Sequence, residues 1–407
     1  MWKRLLLTPV AILTWGCATI MNSGRPRYSG PIVKPAWHNA DVRVAQTPVI
    51  HDGIVYAIAR SWDKNQPQLF AFDVKTGHRL WTTDFSPAKI LLVAGPNVLV
   101  ADASGHVRSI DAKTGKLSSF ADAPLKYGTY LNGFIYAVEE ERKVRAVDPL
   151  GHIHWQAEVP LNIVEQPVAA GGTVYVYGLF RDGDFWNNYV YGVYAFDTES
   201  GTLRWKHETK GIGQSIIDFA ADAGAAYLLS MDKRGNSYVG GVVALSAEDG
   251  AEKWSLGNLN IPSEVFVDRD LVVIRDIPPG QRGAGNEAGY RYQGLKSATG
   301  EIAFTTTTAW QYANSVGRGP YRFVSDRKIH EVLTENNNTS PDSWMTLVDV
   351  RTGKEVWRSE TVELGVFTLP AVADGMAVVG SEPFEWRDPS RVGKREVAGL
   401  WAWSAPE

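Results

Sequence analysis

Ala71-Phe72-Asp73-Val74-Lys75-Thr76-Gly77-His78-Arg79-Leu80-Trp81 returns as Ala195-Phe196-Asp197-Thr198-Glu199-Ser200-Gly201-Thr202-Leu203-Arg204-Trp205, and again as Leu347-Val348-Asp349-Val350-Arg351-Thr352-Gly353-Lys354-Glu355-Val356-Trp357. Weaker copies are Ile110-Asp111-Ala112-Lys113-Thr114-Gly115, Val147-Asp148-Pro149-Leu150-Gly151 with Trp155, and Ala244-Leu245-Ser246-Ala247-Glu248-Asp249-Gly250 with Trp254. The most worn is Leu295-Lys296-Ser297-Ala298-Thr299-Gly300, where Phe304 takes the Trp place. The glycines at 77, 115, 151, 201, 250, 300 and 353 lie 36 to 53 residues apart. Repeats at such a period build solenoids, propellers or arrays.

Each copy has a physical reading. An alternating strand ends at Asp, whose carboxylate can accept hydrogen bonds from turn amides, and Gly closes the turn by adopting positive φ. A second strand then carries a Trp large enough to bury between sheets. Upstream of most copies lies another hairpin, as in Val49-Ile50-His51-Asp52-Gly53-Ile54-Val55-Tyr56 or Val372-Ala373-Asp374-Gly375-Met376-Ala377-Val378. Four antiparallel strands per unit predict a propeller blade. The last unit stops at Gly399-Leu400-Trp401-Ala402-Trp403, one strand short, while Pro35-Ala36-Trp37-His38 near the start has no unit of its own. The reading is an all-β, eight-bladed propeller of four-stranded blades over residues 34–407, with the N-terminal strand closing the last blade and removing an open edge.

Composition narrows the function. The 407 residues carry a net charge of −4, 15 Trp and one Cys. The mixed charge offers no basic stripe for nucleic acid. One Cys excludes an internal disulfide and a Cys-based metal centre. Residues 1–17 read as a signal peptide: Lys3 and Arg4, a largely apolar run to Trp15, then Gly16-Cys17-Ala18. Leu13-Thr14-Trp15-Gly16-Cys17 resembles a bacterial lipobox, which makes Cys17 the expected lipidation site. Ala18 resembles the sorting residue of lipoproteins sent to the outer membrane. Residues 18–33, with Asn22, Ser23, Gly24, Pro26, Ser29, Gly30 and Pro31, read as a flexible tether.

The repeat resembles the PQQ-type (quinoprotein) propeller repeat over residues 34–403. That resemblance implies that Trp37, Trp81, Trp155, Trp205, Trp254, Phe304 and Trp357 dock neighbouring blades. Two branches bear on function. Quinoprotein dehydrogenases carry a vicinal Cys pair and a calcium held by Glu, Asn and Asp, and this chain has no Cys pair. PQQ and calcium are therefore not assigned. The other branch comprises outer-membrane barrel-assembly lipoproteins. Resemblance to it implies a non-enzymatic, lipid-anchored periplasmic scaffold, monomeric outside a complex, with protein partners in the envelope. The alternative is a ligand-binding or degenerate quinoprotein propeller holding PQQ or a sugar in its central funnel.

Loop lengths predict where partners bind. One face is made of tight turns such as Asp52-Gly53 and Asn132-Gly133. On the other, the connections near residues 60–65, 181–188, 275–283, 335–340 and 384–396 are longer and rich in Trp and Arg. Loops too long for hairpin turns are commonly functional. The candidate partner or ligand residues are Trp62, Arg181, Trp186, Arg275, Arg282, Trp344, Trp386 and Arg387, because exposed Trp and Arg combine rigid apolar area with a polar handle.

No residue is assigned to catalysis or to a metal. Asp182, Asp184 and Asn187 give half a calcium loop without the later acidic ligand. His152-Ile153-His154 would share one face of a strand, as two metal ligands need, but no third ligand is nameable. Gly283-Ala284-Gly285 opens no helix, and no Ser has nucleophile-elbow context.

Overall fold

A computed structural model describes residues 30–406 apart from 65, 103–105, 119, 121–124, 126, 140–141, 164, 182–188, 210–213, 235–236, 279–289, 309–314, 319–320, 333–337, 364 and 384–394. The described chain forms eight separate sheets and no α-helix. Blade 1 runs Val42–Arg43 with Val49–His51, Ile54–Ser61, Gln68–Asp73 and Arg79–Thr82. Blade 2 is Lys89–Ala94, Asn97–Ala101, Val107–Asp111 and Leu117–Ser118; blade 3 is Tyr127–Leu131, Phe134–Glu139, Lys143–Val147 and Ile153–Glu158. Blade 4 is Asn162–Ile163 with Val168–Ala170, Thr173–Arg181, Tyr189–Asp197 and Leu203–Thr209. Blade 5 is Gln214–Ala221, Ala225–Arg234, Ser237–Ser246 and Glu252–Asn260; blade 6 is Glu264–Asp268, Leu271–Asp276, Arg291–Lys296 and Ile302–Thr307. Blade 7 is Ser315–Arg318, Tyr321–Val332, Asn338–Asp349 and Lys354–Ser359.

Blade 8 is built from both ends of the chain. Gly365–Phe367 with Ala371–Ala373, Met376–Pro383 and Gly399–Ser404 supply three strands, and Trp37–Asn39 is the fourth. Trp37 stands opposite Ala402, and His38 opposite Trp401, in an antiparallel ladder. The chain just before that strand adds a parallel one: Ile32–Val33 pairs with Arg358–Ser359 at the outer edge of blade 7.

Eight hydrophobic clusters each span one pair of neighbouring blades and so close the ring. Val42, Val55 and Phe72 of blade 1 pack with Trp37, Val378 and Leu400 of blade 8. Equivalent clusters join each later pair, ending with Phe323 and Leu347 of blade 7 against Val379 and Trp403 of blade 8. The apolar face of each sheet is thus buried against the next rather than inside one common core.

Turn chemistry sets the strand order. Asp52 and Gly53 have φ of 47° and 75°, and Asn132-Gly133, Gly171-Gly172 and Asp374-Gly375 share the pattern of two positive φ values. That is the hairpin turn whose twist matches the strands it joins. In the repeat turn, Asp73 Oδ1 accepts from Thr76 N at 2.8 Å and from the Thr76 hydroxyl at 2.7 Å. Asp111 does the same with Thr114.

The docking tryptophans follow one geometry. Trp37 Nε1 donates to Val74 O at 2.8 Å, Trp81 to Ala112 O at 3.1 Å, and Trp155 to Thr198 O at 2.9 Å, each in the next blade. Trp205 reaches Ala247 O and Trp254 reaches Ser297 O likewise. Trp357 packs on Phe323 of its own blade, and Phe304 lies over Gly294 of its own blade, not over the Gly353 that its place in the repeat implies. The sequence reading overlooked a partner. Tyr56, Tyr136, Tyr175 and Tyr227, one per blade, lie 5.8–6.0 Å from the docking Trp of the same blade. Their signal was the Tyr at the third position of the second strand in these four blades.

Candidate functional site

On the long-loop face, aromatic surface, charge and a concavity come together where blades 8 and 1 meet. Trp62, 36% exposed, follows directly on the strand Ile54–Ser61. Its Nε1 donates to Ala40 O at 2.8 Å, which fixes the ring against the closing N-terminal segment. The guanidinium carbons of Arg43 and Arg395 lie 5.4 and 5.5 Å from the ring centre, so two cations are within cation–π reach of the indole. Beside it, a cleft of about 380 Å³ is lined by Arg43, Ala45, Arg60, Val366, Phe367, Thr368, Glu382 and Pro383. Arg60 faces Glu382 across it at 3.8 Å, and Arg395 faces Asp41 at 3.6 Å.

Stacked rings support this wall. His38 and Trp401 lie 3.6 Å apart between centres, and Phe367 packs on both Trp401 and Trp403. His38 Nε2 meets the Ala398 carbonyl at 2.7 Å. Burial lowers the pKa of the His38 imidazole, and that carbonyl partly offsets the effect.

Of the residues nominated from sequence that are described, only Trp62 stands at this site. Trp344 is 6% exposed, with the Arg358 guanidinium 5.6 Å from its ring, and offers almost no area to a partner. The reason is local. The stretch read as a loop at 335–340 is in strand from Asn338 onward, and Val332 pairs with Asn338 in an unbroken ladder to Asp349. Arg275 is also turned inward: it pairs with Glu264 at 3.2 Å and lies over Tyr290 at 4.5 Å. Arg181 ends the strand Thr173–Arg181. Cys17, Trp186, Arg282, Trp386 and Arg387 lie outside the described residues, as do Asp182, Asp184, Asn187 and Gly283 to Gly285. Sequence reasoning missed Arg43 and Glu382, whose only signal was charge near strand ends; Arg60 and Arg395 fell within the loops it singled out but were not nominated.

A second polar group lies among blades 4, 5 and 6. Asp218, re-aimed by a bulge in its strand, accepts from Phe219 N at 2.9 Å and from Val265 N of the next blade at 2.8 Å. Burial pushes its carboxyl up to about 7, and the nearby Glu165 and Glu264 add to the shift. Glu264 is held by Arg275 and by Arg322 at 3.5 Å, and Asp276 by Arg291. Asp218 is thus engaged by two amides, and Glu264 and Asp276 by guanidiniums. His152 and His154 do not share a face: the strand begins at Ile153, His152 pairs with Asp148 at 2.8 Å in the turn, and His154 lies against Phe134. Among the described residues, no group of three His, Cys, Asp or Glu could hold a metal ion.

A family model described as outer membrane protein assembly factor BamB matches residues 28–123, 103–236 and 192–327 in overlapping copies. The chain belongs to the BamB family. The outer membrane protein assembly factor BamB of Burkholderia pseudomallei (strain K96243) is 25% identical over 306 residues, which are 73% of this chain and 70% of that protein. The serine/threonine-protein kinase AfsK of Streptomyces griseus is 23% identical over 153 residues, 34% of this chain but only 18% of that protein. Among solved structures, BamB from Moraxella catarrhalis superposes with a TM-score of 0.51 at 13% identity, covering 91% of this chain and 99% of that one. The computationally designed protein Ika8 gives 0.55 at 11% identity, covering 92% and 100%. At these identities the structures speak for the propeller alone.

Proposed function

We propose that this chain is a non-enzymatic scaffold of outer-membrane protein assembly, anchored at the periplasmic face of the outer membrane through Cys17 and acting by binding partner or client proteins. The observation that carries the reading is the BamB family match, which runs through residues 28–327. The Burkholderia relative supports it, because the alignment takes in most of both chains. A binding role also agrees with the chemistry of the described residues. Their buried carboxylates are engaged in structural bonds, whereas the cleft beside Trp62 offers cations, a ring face and apolar walls to a partner.

Deleting the chain in its own organism tests the reading. Folded β-barrel proteins in the outer membrane are expected to fall while soluble periplasmic proteins hold their level. Unchanged barrel levels would overturn it. Ligand binding in the funnel is the competing use. Adding PQQ with calcium to the purified protein is expected to leave its melting temperature where it was, because only a ligand that binds the folded state raises it.

A further inference from the structure

The boundary between blades 6 and 7 differs in two ways from the one between blades 8 and 1, where the chain ends meet. It lacks the indole-on-glycine dock: a Cβ at Gly353 would meet the backbone oxygen of Thr307 at 2.6 Å, whereas the Phe304 ring has folded back on Gly294. It also buries charge. Arg322 is 3% exposed, its guanidinium lies 3.3 Å from the centre of the Phe266 ring, and it reaches Glu264 at 3.5 Å.

Register shows what those charges displace. Tyr321 pairs with Asp349 as Ile54 pairs with Asp73, so Arg322 takes the place of the buried Val55. Leu271 pairs with Lys296 in the same way, so Arg275 takes the place of Ile58. Among the described residues, Arg322 Nε finds no hydrogen-bond partner. A buried ion group that is imperfectly satisfied holds two surfaces together less well than apolar side chains of similar volume.

The boundary where the chain ends meet is, by contrast, closed several times over. Trp37 docks on blade 1, Asn39 Nδ2 donates to Gly77 O at 2.9 Å, and Gly53 N donates to Asp374 Oδ2 at 2.8 Å. We infer that the ring opens between blades 6 and 7, and not at the junction of its two ends. Opening this seam returns Arg322, Arg275 and Glu264 to water, whereas opening the other exposes Val42, Val55 and Phe72.

Val350 and Val74 form a matched pair for the test. Both follow the repeat Asp, both are fully buried, and each packs against the preceding blade. With the lone Cys17 replaced by Ser, Val350→Cys and Val74→Cys each give a chain with one thiol. Under native conditions the thiol at 350 is expected to react with a maleimide about tenfold or more faster than the thiol at 74. Equal rates, or a faster reaction at 74, would overturn the inference. Replacing the charges together, by Glu264→Leu, Arg275→Ile and Arg322→Val, should slow the reaction at 350 and leave that at 74 unchanged. A folded triple variant that still reacts as fast at 350 contradicts the role given to the charges. If that variant does not fold, the matched pair decides alone.

Discussion

The indole of Trp37 lies so close over Gly77 that a Cβ at position 77 would sit 2.5 Å from its Cε3. The same contact recurs as Trp81 on Gly115, Trp155 on Gly201, Trp205 on Gly250 and Trp254 on Gly300. The repeat glycine is therefore needed twice, for a φ of +68° at Gly77 and for the space that the next ring fills. Gly53 separates the two demands, since its φ is +75° but nothing lies within 4 Å of a Cβ built there. Gly53→Ala should cost about 1 kcal/mol, the penalty of a left-handed backbone alone. Gly77→Ala should cost about 3 kcal/mol or more, because the dock must also shift. Urea melts of both variants check this, and equal losses would show that the ring contact contributes nothing.

Acid should unfold the protein through its repeat turns. Bonds from Thr76 and Thr114 hold Asp73 and Asp111 below the ordinary carboxylate range, and the Ser200 amide and Arg204 hold Asp197 lower still. A depressed carboxylate contributes stability above its unfolded value of about 3.9, and that contribution is lost as pH falls toward the folded value. Asp197→Asn should therefore lower the melting temperature at neutral pH, with a difference that shrinks below about pH 3. A difference independent of pH would contradict the assignment.

Asp218 works in the opposite direction. Its pKa is raised to about 7, chiefly by burial, so the folded chain keeps a proton that the unfolded chain releases near the ordinary carboxylate value. Stability from this group is full below about pH 4 and declines as pH rises to about 7. Asp218→Asn should match the parent near the acid end and exceed it in stability above pH 7, by denaturant melts across the range. Parallel curves would show that the carboxyl is not the source of the slope.

Trp62 separates surface from core. Its ring meets two guanidiniums and one carbonyl and lies outside the blade clusters. Trp62→Ala should change stability by no more than about 1 kcal/mol, and should weaken partner retention about tenfold if the ring anchors the interface. Loss of folding would place it with Trp344, as packing.

The fold was legible because its information repeats. Asp, Gly and Trp at fixed offsets specify a turn and a dock in each unit, and an orphan Trp37 strand matched a final unit with one strand missing. The loop face was legible only in part. Polar residues such as Asn338, Thr339 and Ser340 look like a loop in isolation, yet their register continues a long hairpin in blade 7. The seam between blades 6 and 7 was not legible. Glu264 and Arg275 face each other across one hairpin of blade 6, but Arg322 comes from blade 7, and each looks like an ordinary surface charge until the sheets face each other.

The central claim is a role in outer-membrane protein assembly, and co-purification tests it most directly. The full-length chain, tagged at its C-terminus and expressed from its own locus, would be isolated from detergent-solubilised envelopes. The account predicts that it brings the outer-membrane β-barrel assembly machinery with it in stoichiometric amount, and that Trp62→Ala reduces the yield. Recovery of the wild-type chain free of that machinery, with all of it in the unbound fraction, would contradict the account.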